Sequence, residues 1–128
     1  MFARCVSIHL KPNGLAEFSR VIEIETIPLL RKQKGFQDEI VFFVPDESEA
    51  VEISLWDRKE DADAYGRRRS PRVLNALQNV IEGDPVVRTY AVSNSTFHKV
   101  AAPVFPRMLS GPVWRRGNVD TEHKEASK

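Results

Sequence analysis

Cysteine is almost missing from this chain. Cys5 stands alone among 128 residues, so an internal disulfide and a thiolate zinc site are both excluded. Histidine is nearly as scarce. His9, His98 and His123 are far apart, and no two sit at ligand spacing on one element, so no catalytic metal is expected. No glycine-rich phosphate or dinucleotide loop is present, and no cofactor is expected. Neither sign of charge dominates: 19 Lys and Arg face 18 Asp and Glu, which argues against a dedicated nucleic-acid binder. No apolar run approaches the roughly 18–20 residues that cross a bilayer, so no membrane span is expected. The first residues lack a basic segment followed by a long apolar core, so the protein is expected in the cytoplasm.

What is present is ordinary for a soluble domain, with 41% hydrophobic and 29% charged residues. The charge is uneven along the chain. Residues 1–98 carry 13 basic and 15 acidic side chains, whereas residues 99–128 carry 6 and 3. The latter stretch holds Pro103, Pro106, Pro112, Gly111 and Gly117, and from Asn118 it is almost wholly polar. Burial there cannot offset the entropy of ordering the chain. The division is therefore a domain over 1–98 and an arm with a loose tail over 99–128. Val104, Phe105, Met108, Leu109, Val113 and Trp114 allow the arm to dock on the domain or on a partner.

Residues 2–10 alternate, with Phe2, Val6, Ile8 and Leu10 on one face, which is the strand period. Lys11–Gly14 reads as a turn. The apolar positions Leu15, Phe18, Val21, Ile22, Leu29 and Leu30 predict a helix to about Lys34, bent by Pro28 and ended by Gly35. Strands over 36–44 and 50–56 are joined by a short polar loop as a hairpin. Asp57 is placed to cap the next helix, with Glu60 completing a capping box. Ser70-Pro71 starts another helix, on which Val73, Leu74, Leu77, Val80 and Ile81 form a buried stripe. Gly83-Asp84-Pro85 is expected to stop it before a last strand over 86–93.

The order β-α-β-β-α-β predicts an α+β, ferredoxin-like fold: four antiparallel strands with two helices on one face. The second strand is apolar on both sides, and Val41 and Phe43 are expected on the face the helices leave open. A second copy of the sheet would cover that face, giving a homodimer; the alternative cover is the chain's own arm.

The run Leu29-Leu30-Arg31-Lys32-Gln33-Lys34-Gly35-Phe36 resembles the antibiotic biosynthesis monooxygenase family. So do Ile53-Ser54-Leu55-Trp56 leading into a charged helix with Ala64-Tyr65, and the closing Thr89-Tyr90-Ala91-Val92. The resemblance covers about residues 1–98 and implies a dimeric α+β barrel. It also implies a cofactor-independent monooxygenase acting on a small aromatic molecule of the phenol, quinol or anthrone type. Trp56 matches a tryptophan used by the family's cofactor-free oxygenases. Glu52 stands where they have asparagine, and Ala62 where they have tyrosine. The haem-degrading branch needs a histidine where this chain has Asn75.

Candidate site residues follow. Trp56 and Phe36 are expected to wall an aromatic substrate, although Trp56 would serve equally as core packing. His9, with an imidazole that titrates near neutrality, is the candidate base; Tyr65 would orient a substrate hydroxyl, and Asn75 and Arg88 would stabilise an anion. Arg67, Arg68, Arg69 and Arg72 form a basic cluster, either a solvated link between helices or a site for an anion. The alternative function is a non-catalytic homodimer that binds a small hydrophobic molecule or a protein partner.

Overall fold

In a computed structural model, residues 1–68 and 70–100 are described. Arg69 of the basic cluster, the apolar arm residues 104–114 and the tail lie outside these residues. The elements are β1 (Phe2–Leu10), α1 (Leu15–Val21), a π-helical turn (Ile22–Thr26), α2 (Ile27–Arg31), β2 (Phe36–Phe43), β3 (Glu49–Trp56), α3 (Lys59–Arg67), α4 (Pro71–Gln78) and β4 (Ile81–Ala91). The four strands lie in the order β2-β3-β1-β4, every neighbouring pair antiparallel. This is the expected ferredoxin-like arrangement. No helix among the described residues is long and apolar enough to cross a membrane.

Alternation along β1 sends Arg4, Val6, Ile8 and Leu10 into the helix-facing core, where Val6, Ile8 and Leu10 meet Phe18, Val21, Ile22, Val73 and Leu77. A second apolar cluster joins Leu30 of α2, Trp56 of β3, and Ala62 and Tyr65 of α3, with Leu29 and Phe36 packed against it. Both clusters lie between sheet and helices.

Several local expectations are corrected. The first long helix is not continuous: the Ile27 N–H donates to the Ile22 carbonyl, the five-residue spacing of a π turn. Pro28, which has no N–H and whose ring crowds the preceding turn, sits at the start of α2 just after it. Gly35 does follow the helix, at φ +79°, where a Cβ would stand 2.3 Å from Asp61 Oδ2. Asp57 does not cap α3. Arg58 occupies that position, while the Asp57 carboxylate accepts a 2.7 Å hydrogen bond from Gln37 Nε2. Ser70 and Pro71 begin α4 as expected, but no side-chain hydrogen bond closes the cap. The helix ends at Gln78, short of Gly83, because Gly83, Asp84 and Pro85 form an irregularity inside β4, between the pairs His9–Glu82 and Ser7–Val86. Leu74, placed by periodicity in the buried stripe, is exposed.

A bulge also changes the faces of β2. Phe36 pairs with Trp56 and Asp38 with Leu55, so Gln37 is the extra residue and the alternation slips by one. Val41, expected on the open face, therefore packs on the helix-side core, and the open face carries Ile40 and Phe42 instead. The open face still carries exposed apolar side chains: Phe42 is 52% exposed, Val86 54% and Tyr90 49%.

Candidate functional site

Cross-strand register places a polar row between the two apolar clusters. Ser54 pairs with Arg4 on one side and Glu39 on the other, so β1, β3 and β2 each send one polar side chain toward the helices at the same level. The next row holds Val6, Glu52 and Val41. Glu39 and Glu52 are thus diagonal neighbours on one face of the hairpin, within reach of long side chains.

Arg4 and Ser54 of the polar row are held from above or beside. The Arg4 guanidinium lies 5.7 Å from the centre of the Tyr65 ring, and a Cβ on Gly66 would come within 3.3 Å of it. A glycine at that point of α3 leaves room for the guanidinium, and the ring face favours its charge. Ser54 accepts a 2.8 Å hydrogen bond from Trp56 Nε1, which satisfies an indole with no exposed surface. Trp56 in turn meets Tyr65 at 5.4 Å and Phe36 edge-on at 5.6 Å between ring centres.

Glu39 is the anomaly of this row. Both carboxylate oxygens are shut away from water, and no donor among the described residues bonds to either as an ionised group. The neighbour that acts on it is Glu52, and two carboxyl groups can share a hydrogen bond only when a proton lies between them. Burial first, then the charge of Glu52 and that hydrogen bond, push the Glu39 carboxyl up to about 10, while Arg4 pulls the other way.

Glu52 also lines a cavity of about 330 Å³ between the sheet and α4. Val6, Ile8, Leu74, Leu77 and Ile81 supply its apolar wall, and Gly83, Asp84 and Pro85 of the irregular stretch of β4 lie along its edge with Gln78. The volume falls at the lower end of the range for small-molecule pockets.

The expected site residues divide into two groups. Trp56, Phe36 and Tyr65 come together, but as closed core packing, and they do not line this cavity. His9 and Arg88 do not join them. Both are exposed on the open face of the sheet, His9 opposite Glu82 and Glu49, Arg88 opposite Cys5. Asn75 is exposed on α4. Arg67 and Arg68 are exposed, and Arg72 reaches Glu25 at 3.2 Å. His98 pairs with Asp38 on the open side of the sheet, and no metal-binding group of His, Cys, Asp and Glu occurs among the described residues. Arg4, Glu39 and Glu52 were not singled out for a site role by sequence. The signal was the asparagine-to-glutamate departure at position 52, which gains meaning only beside Glu39.

No protein-family profile matches the sequence, and no curated protein matches it. Solved structures do. A monooxygenase of Streptomyces coelicolor, in complex with nanaomycin D, superimposes with a TM-score of 0.62 at 16% identity, covering 80% of this chain and 92% of its own. A protein of unknown function from Nitrosomonas europaea gives 0.64 at 13% identity, over 80% and 95%. A further structure named as an antibiotic biosynthesis monooxygenase gives 0.54 at 14% identity, over 72% and 98%. The chain has the fold of antibiotic biosynthesis monooxygenase domains.

Proposed function

We propose that this protein is a cofactor-independent oxygenase of a small aromatic molecule of the phenol, quinol or anthrone type, working as a homodimer. One observation carries the assignment: an apolar cavity of substrate size in which a carboxylate, Glu52, is part of the lining. A flat apolar ring gains by leaving water for such a wall, and an acidic hydrogen on that ring finds an acceptor there. Once the hydrogen has left as a proton, the electron-rich substrate anion reduces dioxygen itself. For an anthrone the sum is a CH2 group and O2 giving a carbonyl and water, so the substrate supplies every electron. The likeness to a solved monooxygenase supports this at the level of fold.

His9, Asn75 and Arg88 stand outside the cavity, which favours a second function: a binding module that holds a small hydrophobic molecule without changing it. Oxygen uptake separates the two. With hydroquinones, naphthols and anthrones, and no metal or flavin added, the oxygenase consumes oxygen in proportion to product formed. Saturable binding of the same compounds with no uptake above the buffer rate assigns the binding module instead.

A further inference from the structure

The closed carboxyl pair points beyond the fold to a particular base. We propose that Glu39 and Glu52 share one proton at the wall of the cavity, and that Glu52 is the group that removes the acidic hydrogen of the bound aromatic. This rests on the oxygenase assignment above for its substrate class. Its own ground is geometric. Glu52 belongs both to the diagonal pair and to the cavity lining, so it is the member that a ligand can touch. Glu39 sits one row deeper in the ladder, beside Ser54, with both oxygens sealed.

The charged and titratable groups around the pair come from several elements. Arg4 of β1, stacked on Tyr65 of α3, acts on Glu39 from its own row, and Asp84 of β4 shares the cavity lining with Glu52. Among the described residues, none that lines the cavity is basic. A ligand that offers a hydrogen is favoured there, and one that brings a negative charge is not. In the step proposed, the C–H or O–H bond of the substrate breaks, its electron pair stays on the ring system, and the proton goes to a Glu52 carboxylate oxygen. The shared proton, held on the Glu39 side, orients Glu52 beforehand and makes Glu39 a positioning residue.

Two measurements on the full chain test this. The first follows hydrogen exchange at the methylene carbon of anthrone in heavy water under nitrogen, where no oxygenation can occur. The protein is expected to accelerate exchange above the buffer rate. Glu52→Gln is expected to lower that acceleration by about 100-fold or more, the usual size of general-base catalysis, while anthrone still binds. Glu39→Gln is expected to keep exchange but to erase the alkaline inflection that marks departure of the shared proton. The second is carboxyl NMR of glutamate-labelled protein. One glutamate is expected to remain protonated well above pH 7, and its late titration to vanish in Glu39→Gln.

Exchange that is absent in the wild type, or unchanged in folded Glu52→Gln, overturns the base. Glutamates that all titrate below about pH 6 overturn the shared proton. Exchange that is present and dependent on Glu52, without oxygen uptake from any aromatic in air, keeps the base and removes only the oxygenase assignment.

Discussion

Glu39 shows how one side chain can tie stability to pH. In the unfolded chain its carboxyl ionises near the ordinary glutamate value; in the folded chain burial and Glu52 hold the proton far longer. The folded state thus binds more protons between those two values. Stability is full below the ordinary value and falls as pH rises toward about 10, by at most about 1.4 kcal/mol per pH unit for one proton. Glu39→Gln is expected to flatten the curve: equal melting temperatures near pH 4, and a gain over wild type that grows up to pH 9, read by thermal denaturation. A second residue-scale prediction concerns Ser54, which is buried beneath the Trp56 indole. Ser54→Ala leaves that N–H without its acceptor and should lower stability by about 1–3 kcal/mol in urea titration. Neither effect was legible in the sequence. Arg4, Ser54, Glu39 and Glu52 are scattered over three strands, and only the cross-strand register makes them neighbours.

Whole elements were far more legible, because alternation and helical periodicity are local. Residues 2–10 came out as one strand, and Pro71 does start a helix. The misses lie where the period is interrupted. A bulge at Gln37 adds one residue and leaves no compositional trace, yet it moved Val41 from the expected open face to the core. Gly83 and Pro85 are genuine breaking signals, but the break falls inside a strand and not at a helix end. The Asp57 cap failed because Gln37, twenty residues earlier, takes its carboxylate. Gly35 is the element boundary that sequence located well. With φ +79° and Asp61 pressed against the space a Cβ would fill, Gly35→Ala should cost about 1–2 kcal/mol from the backbone alone, measured by denaturant unfolding. Asp61→Ala in the same chain is expected to relieve only the contact, leaving the conformational part.

At the scale of the molecule, the helices among the described residues cover one side of the sheet. Ile40, Phe42, Val86 and Tyr90 stand exposed on the other, the kind of clustered apolar surface that marks an interaction face. Val92 and residues 94–97 border part of it, forming with Ile40, Phe42, Ile53 and Leu55 a groove of about 370 Å³. A homodimer formed through this face is expected at micromolar concentration. Phe42→Asp, which places a charge in its midst, should give monomers by light scattering with an unchanged circular dichroism spectrum. A wild type that scatters as a monomer removes the dimer.

The three residues Gly83, Asp84 and Pro85 occupy the cavity edge while standing outside the paired register of β4. Their number can therefore change without disturbing the hydrogen-bonded frame on either side, while Gly83, at φ +74°, keeps a conformation that suits glycine. The doorway is adjustable where the walls are not: a lengthened or shortened stretch here would admit molecules of different width, while the carboxyl pair behind it kept its place.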